Sequence, residues 1–135
     1  MEKKLISVVS GCYNEEENVP ELYRRLTAVF AELPQYDYEI ILADNCSTDG
    51  TRQVIRELAA GDRRLKAIFN AANYGHIRSP YNALMQAKGD AVVMMCSDLQ
   101  ESPELVKDFF RQNFLFEDPF CSNYFDFSLW NLIYF

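Results

Sequence analysis

Residues 92–101 read VVMMCSDLQE. An apolar run breaks into an acid, Asp98, then Gln100 and a second acid, Glu101, directly before Ser102 and Pro103. A short apolar run bounded by turn signals predicts a strand buried on both faces, and Ser-Pro predicts the opening of a helix behind it. Residues two apart in an extended chain point the same way, so Cys96, Asp98 and Gln100 share one side. A buried strand that ends in polar groups and feeds a helix is the repeating unit of a parallel α/β sheet.

The same unit recurs along the chain. Leu5–Val9, Glu39–Ala43, Leu65–Phe69 and Ala91–Met95 are apolar or β-rich runs. Between them, Leu22, Leu26, Val29 and Leu33 follow at helical spacing, with Asn18 as the expected N-cap, Pro20 in the first turn and Glu21 completing a capping box. Thr48 or Asp49 is the expected cap of a second helix with Val54, Ile55 and Leu58 on its apolar side. Ser79 and Pro80 are expected to open a helix through Ala87, closed by Gly89 and Asp90, and Ser102 and Pro103 to open one carrying Leu105, Val106 and Phe109. The predicted fold class is therefore α/β, a mostly parallel sheet with helices on both faces.

Right-handed crossovers bring the C-terminal ends of all parallel strands to one edge, where such sheets bind ligands. The clusters CYNEEEN (12–18), DNCSTDG (44–50), NAANYGHIR (70–78) and SDLQE (97–101) all fall on that edge. Asp44 stands at a strand end, where its carboxylate can accept from a base N–H or a ribose. Ser47, Thr48 and Asp49 suit either a helix cap or a ligand contact. A calcium loop is excluded, because Arg56 stands where a bidentate acid is required. Tyr13 can flank a flat base and Glu15 can hold a ribose hydroxyl, with Asn14 between them, while Glu16 and Glu17 read as solvated acids favourable to a helix N-terminus. Gly75 leads into a loop with His76 and Arg78, and Arg78 suits a diphosphate, to which the helix near Pro80 would add amides. Asp98 and the carbonyl oxygen of Gln100 suit Mg2+ or Mn2+, completed by phosphate oxygens and water, unless they simply form a turn with solvated acids. Cys96 reads as a small buried apolar residue.

The bulk properties bound these readings. The chain of 135 residues is one domain's worth, 49% hydrophobic and 24% charged, and its net charge of -7 argues against a nucleic-acid partner. Cys12, Cys46, Cys96 and Cys121 form no paired spacing and only one His is present, so neither a zinc framework nor a disulfide scaffold is expected, and a reducing compartment is. The N-terminal apolar run is followed at once by acids, which suits a buried strand better than a signal peptide, and no stretch is long enough to span a bilayer. Composition divides the chain into residues 1–111, the α/β unit, and residues 112–135, an atypical aromatic-rich segment without Lys or Arg.

Taken together, VVSGCYNEEEN, ADNCSTDGT, NYG through AKGD and CSDLQESPEL resemble the family 2 glycosyltransferases of the GT-A fold, in order and with family-like spacing over about residues 5–110. The DLQ-x-x-PEL form is most similar to the branch that transfers sugars to polyprenyl phosphates, such as dolichyl-phosphate mannose synthases and bacterial relatives. The resemblance implies that Tyr13 and Glu15 flank the nucleoside, Asp44 binds the base, and Asp98 with Gln100 holds Mg2+ or Mn2+ on the diphosphate of a UDP- or GDP-sugar. It implies a lipid-phosphate acceptor and a place in the cytoplasm, at the cytoplasmic face of the membrane, with no more than peripheral membrane contact. The chain departs from the family pattern at Gly11, usually Pro, at Asn45, usually Asp, at Cys46, usually Gly, and at Cys96, usually an acid. No catalytic base is identifiable. Because the likeness stops near Arg111, the chain is expected to be a truncated or frame-shifted product holding the donor half, and the competing expectation is a non-catalytic nucleotide-binding remnant.

Overall fold

The computed structural model describes residues 2–111 and 133–134. The expected aromatic-rich segment over 112–135 lies outside the described residues, apart from 133–134. Strand β1 is Lys4–Cys12, followed by helix α1, Asn18–Ala31; β2 is Tyr36–Asp44, followed by α2, Thr51–Gly61. Then come β3, Leu65–Phe69, α3, Gly75–Leu84, β4, Ala91–Met94, α4, Leu105–Arg111, and the short β5, Ile133–Tyr134. The sheet order is β3-β2-β1-β4-β5, parallel throughout except for β5, which runs antiparallel to β4. The α/β architecture read from the sequence is the observed one, and the N-terminal run is indeed a buried strand.

Period-two alternation along β1 divides the core. Ile6, Val8 and Cys12 pack with Ile40 and Leu42 under Leu22, Leu26 and Val29 of α1, Ile55 of α2 and Val106 and Phe110 of α4. Val9, Ile41, Ala43 and Val92 point to the other face, beneath Ala83 of α3. Helices α1, α2 and α4 thus cover one face, and α3 covers the other. At α4 the fully buried aromatic is Phe110, with Phe109 only partly buried.

All four helix starts differ from expectation, that of α4 by falling at Leu105 rather than at Ser102 and Pro103. Glu17 occupies the N-cap of α1 without a side-chain cap bond, and Asn18 is already helical. The Asn18 amide donates to Glu15 Oε2 at 2.7 Å and Glu21 pairs with Arg24, so no capping box forms. Gly50 occupies the N-cap of α2, while Asp49 Oδ1 accepts the Thr51 N–H at 2.9 Å. Helix α3 begins at Gly75 rather than at Ser79, which puts His76 and Arg78 on a helix instead of a loop, with Pro80 inside it. A proline there removes one intrahelical bond. It is accommodated by packing, since a Cβ on Gly11 would come within 2.7 Å of Pro80 Cγ. Glycine at the end of β1 and proline in α3 fit each other.

The opposite edge of the sheet is fixed by the Gly89-Asp90 turn. Asp90 Oδ2 accepts the Leu5 N–H at 2.8 Å, and the Gly89 N–H donates to Ser7 Oγ at 2.8 Å. Ser7 in turn donates to the buried Glu39 at 2.5 Å. These contacts set the register of β4 on β1 and so the position of the VVMMCSDLQE strand end.

Candidate functional site

The four polar clusters meet at the C-terminal edge, as right-handed parallel topology requires. The clusters after β1 and β2 are bonded to each other. Asn14 N–H donates to Ser47 Oγ at 2.9 Å, and Asn14 Oδ1 accepts the Thr48 N–H at 2.9 Å. The Glu15 N–H donates to Thr51 Oγ1 at 2.8 Å, and Glu16 Oε2 accepts the Gly50 N–H at 2.7 Å. Ser47, Thr48 and Asp49 therefore serve this joint as much as the helix start. Glu16, expected to be merely solvated, is a structural acceptor. The joint links residues more than thirty positions apart, and no local pattern announces it.

Backbone strain is concentrated on this edge. Asn14 (φ 54°), Cys46 (φ 64°) and Leu99 (φ 59°) are the non-glycine residues with positive φ among the described residues. Asn visits this region readily, but Cys and Leu pay for their Cβ. Gly75, at φ 84°, is in a conformation suited to glycine.

Asp44 is fully buried. Its Oδ2 accepts Arg52 Nε at 2.7 Å, and both oxygens receive the Ser47 N–H at 3.3 Å. Arg52 also donates to the Asn70 carbonyl at 2.6 Å and lies over the Phe69 ring at 5.4 Å from its centroid. It ties the ends of β2 and β3 together. Tyr13, by contrast, is 47% exposed, and Glu15 is half-buried.

Asp98 and Gln100 are both exposed, and Asp98 Oδ1 accepts the Gln100 N–H at 3.2 Å. The expectation for Cys96 is overturned, since this residue is exposed. Its thiol pKa is pushed up by partial desolvation and then by the charge of the carboxylates Glu101, Asp98 and Glu15. Cys12, in contrast, lies in the core, where burial pushes its thiol up to about 12. Arg78 and His76 are exposed on α3, and Arg78 makes no ion pair among the described residues. Within those residues, no group of three or more His, Cys, Asp or Glu side chains is gathered to hold a metal. The donor set at Asp98 thus suits a hard cation whose remaining ligands are substrate phosphates and water, and does not suit a cation caged by protein.

Sequence reasoning missed the network around Asn45. Asn45 is 6% exposed and bonds to Asn70, Asn73, Tyr74 and Gly75. Its only signal in the sequence is the amide that stands where the resembled pattern has an acid.

Comparison with known proteins bears on the whole edge. Residues 7–112 match the model of Glycosyl transferase family 2. An undecaprenyl-phosphate 4-deoxy-4-formamido-L-arabinose transferase of Pseudomonas fluorescens is 40% identical over 100 residues, covering 73% of this chain and 29% of that protein. A mannosyltransferase of Pyrobaculum calidifontis, solved with GDP-Man and Mn2+, superposes with TM-score 0.70 at 22% identity, over 88% of this chain and 34% of the other, a likeness of fold. TarS of S. aureus in complex with UDP superposes with TM-score 0.59 at 33% identity, over 69% of this chain and 27% of the other. The chain spans about a third of the length of the curated relatives it matches. It belongs to glycosyl transferase family 2.

Proposed function

We propose that this family 2 chain carries, in residues 1–111, the donor-binding unit for metal-assisted transfer of a sugar from a nucleoside diphosphate sugar to a polyprenyl phosphate. The observation that carries the reading is the edge itself, where a rigidly joined loop pair lies beside an exposed carboxylate, Asp98. The acceptor class is supported by the relatives named for undecaprenyl phosphate.

In this reading the exposed ring of Tyr13 stacks on the base. Asn14 and Glu15, their backbones held by Ser47 and Thr51, present a fixed rim to the ribose. Asp44 is buried, so a base N–H reaches it only when Arg52 gives way. Gly75 admits close approach of the backbone, and Arg78 meets the diphosphate with the paired donors that phosphate oxygens favour. Asp98, with Gln100 beside it, would hold Mg2+ or Mn2+, which would supply charge to offset that on the leaving diphosphate. An acceptor that is already an anionic phosphate needs no base to deprotonate it. A lipid phosphate is an acceptor of this kind, met at the cytoplasmic face of a membrane with peripheral contact. No described helix is long and apolar enough to cross a membrane.

The test is calorimetric titration with UDP- and GDP-sugars, with and without Mn2+, followed by incubation with a polyprenyl phosphate and detection of the glycolipid. Manganese-dependent binding and glycolipid formation are expected. A preference for GDP-mannose would extend the likeness to dolichyl-phosphate mannose synthases. Binding without transfer would reduce the chain to a non-catalytic donor-binding module, and no binding of any nucleotide sugar would overturn the reading.

A further inference from the structure

Asn45, directly after β2, uses both ends of its amide on the loop that leads into α3. Its Oδ1 accepts the Tyr74 N–H at 2.9 Å and the Asn70 amide at 3.2 Å. Its Nδ2 donates to Asn73 Oδ1 at 2.9 Å and to the Gly75 carbonyl at 3.2 Å. The orientation is not free, because one backbone donor and one backbone acceptor face it, and only an amide satisfies both. Asn70, 8% exposed, passes the network to the buried Ser79 of α3 at 2.7 Å. Asn73 differs in kind. It is exposed, and among the described residues only its Oδ1 is engaged, accepting from Asn45 Nδ2 and from the Gly75 N–H at 2.8 Å.

We propose that Asn45 is a positioning residue, an amide that sets residues 73–75 and the first turn of α3 in register with Asp44. Through it, Gly75 and Arg78 are carried to a fixed distance from the strand-end acid on β2. The loop 73–75 is built for an amide at 45. An aspartate there would turn a carboxylate oxygen, itself buried, toward Asn73 Oδ1 and the Gly75 carbonyl, leaving acceptors facing each other without a proton between them. At position 73 the logic reverses, since an acid keeps the one acceptor role that Asn73 performs. The bearing on donor binding rests on the nucleotide-sugar reading above, while the positioning itself does not.

The experiment is residue-resolved hydrogen exchange on the full chain without ligand, comparing N45D, N73A and N73D, each also titrated with the nucleotide sugar that the wild type binds. In N45D the Tyr74 and Gly75 amides should exchange about tenfold faster or more, with amides of β1 and β2 unchanged. N73A, at an exposed position where folding is secure, should speed Gly75 alone, and N73D should match the wild type. Arg78→Ala should weaken binding of the nucleotide sugar in the wild type but much less in N45D, because the guanidinium is already displaced. Unchanged protection of Tyr74 and Gly75 in N45D, or an N73D as exposed as N73A, would overturn the proposal. So would faster exchange spread evenly over the chain. If the wild type binds no nucleotide sugar, the functional reading falls, and the exchange pattern still decides the positioning role.

Discussion

Asp44 and Asp98 belong to polar clusters on the same edge of one sheet. Asp44 is fully buried with Arg52 Nε at 2.7 Å, whereas Asp98 is exposed and receives the Gln100 N–H at 3.2 Å. A buried acid with a guanidinium and a backbone amide belongs to the fold, and removing it strands its partners. An exposed acid whose main contact is a local turn costs the fold little and keeps acceptor capacity for a ligand. In the proposed reading the edge therefore separates support from chemistry, and single substitutions can test that separation.

The largest effect is expected from Asp44→Ala. Arg52 loses its carboxylate and the ends of β2 and β3 lose their tie, so urea denaturation should report a loss of about 2–4 kcal/mol. Asp98→Ala should stay within about 0.5 kcal/mol of the wild type, as surface changes do. The same substitution should abolish metal-dependent binding of nucleotide sugar. If the two variants lose equal stability, or if Asp98→Ala binds metal and donor normally, the division drawn between the two acids is broken.

Asp62 supplies a control, an acid as well paired as Asp44 but remote from the candidate site. Hydrogen bonds from Arg64, then from the Arg64 backbone and Tyr23, outweigh partial burial and hold its pKa at about 2. A carboxylate depressed in the folded state contributes stability above its unfolded pKa, about 4, and that contribution is lost as pH falls through the folded value. Stability should therefore decline between about pH 4 and pH 2. Asp62→Asn should flatten that decline, by less than about 1 kcal/mol because Arg64 is well exposed and solvent screens the pair. Chemical denaturation at stepped pH checks it, and an unchanged slope would show that other carboxylates carry the acid transition.

Cys46 sharpens the comparison from the strained side. It holds φ 64° next to the anchored Asp44–Asn45 pair, and its thiol lies 3.8 Å from the Ala71 carbonyl. Cys46→Gly should stabilise the fold by about 1 kcal/mol, because glycine occupies this conformation without a Cβ penalty. A loss of stability on thermal unfolding would mean that the contact with Ala71 outweighs the strain.

These differences also explain what could be read in advance. The alternation of apolar runs with helical spacing was enough for the sheet, its parallel sense and its ligand edge, because both signals are local and periodic. The place of Asp98 and Gln100 at the sheet edge followed from their position behind an apolar strand. The burial of Asp44 did not, since a strand-final acid reads the same whether or not an arginine from the next helix folds over it. The joint between residues 14–16 and 47–51, the role of Glu16 and the amide network of Asn45 depend on loops brought together by the fold. The early start of α3 escaped notice for a related reason. Pro80 is a strong local signal for a first turn, and here packing on Gly11 and the bonds of Asn73 and Asn45 override it.

The finest test concerns Cys96, whose thiol feels the charge of Glu101, Asp98 and Glu15. A thiol in that company stays protonated and offers a hard cation little, so in the proposed reading Asp98 would carry the metal nearly alone. Cys96→Asp adds a second oxygen donor, but it also adds a like charge to an acidic surface. Without metal the variant should therefore unfold slightly earlier, within about 0.5 kcal/mol of the wild type. With Mn2+ and donor, binding should tighten by about tenfold, as charge count in oxygen-ligand sites raises cation affinity. The two opposite signs make the result specific. Repulsion without tighter binding would place position 96 beside the acids but outside the metal's reach, and Asp98 would then owe its affinity to the substrate's own phosphates.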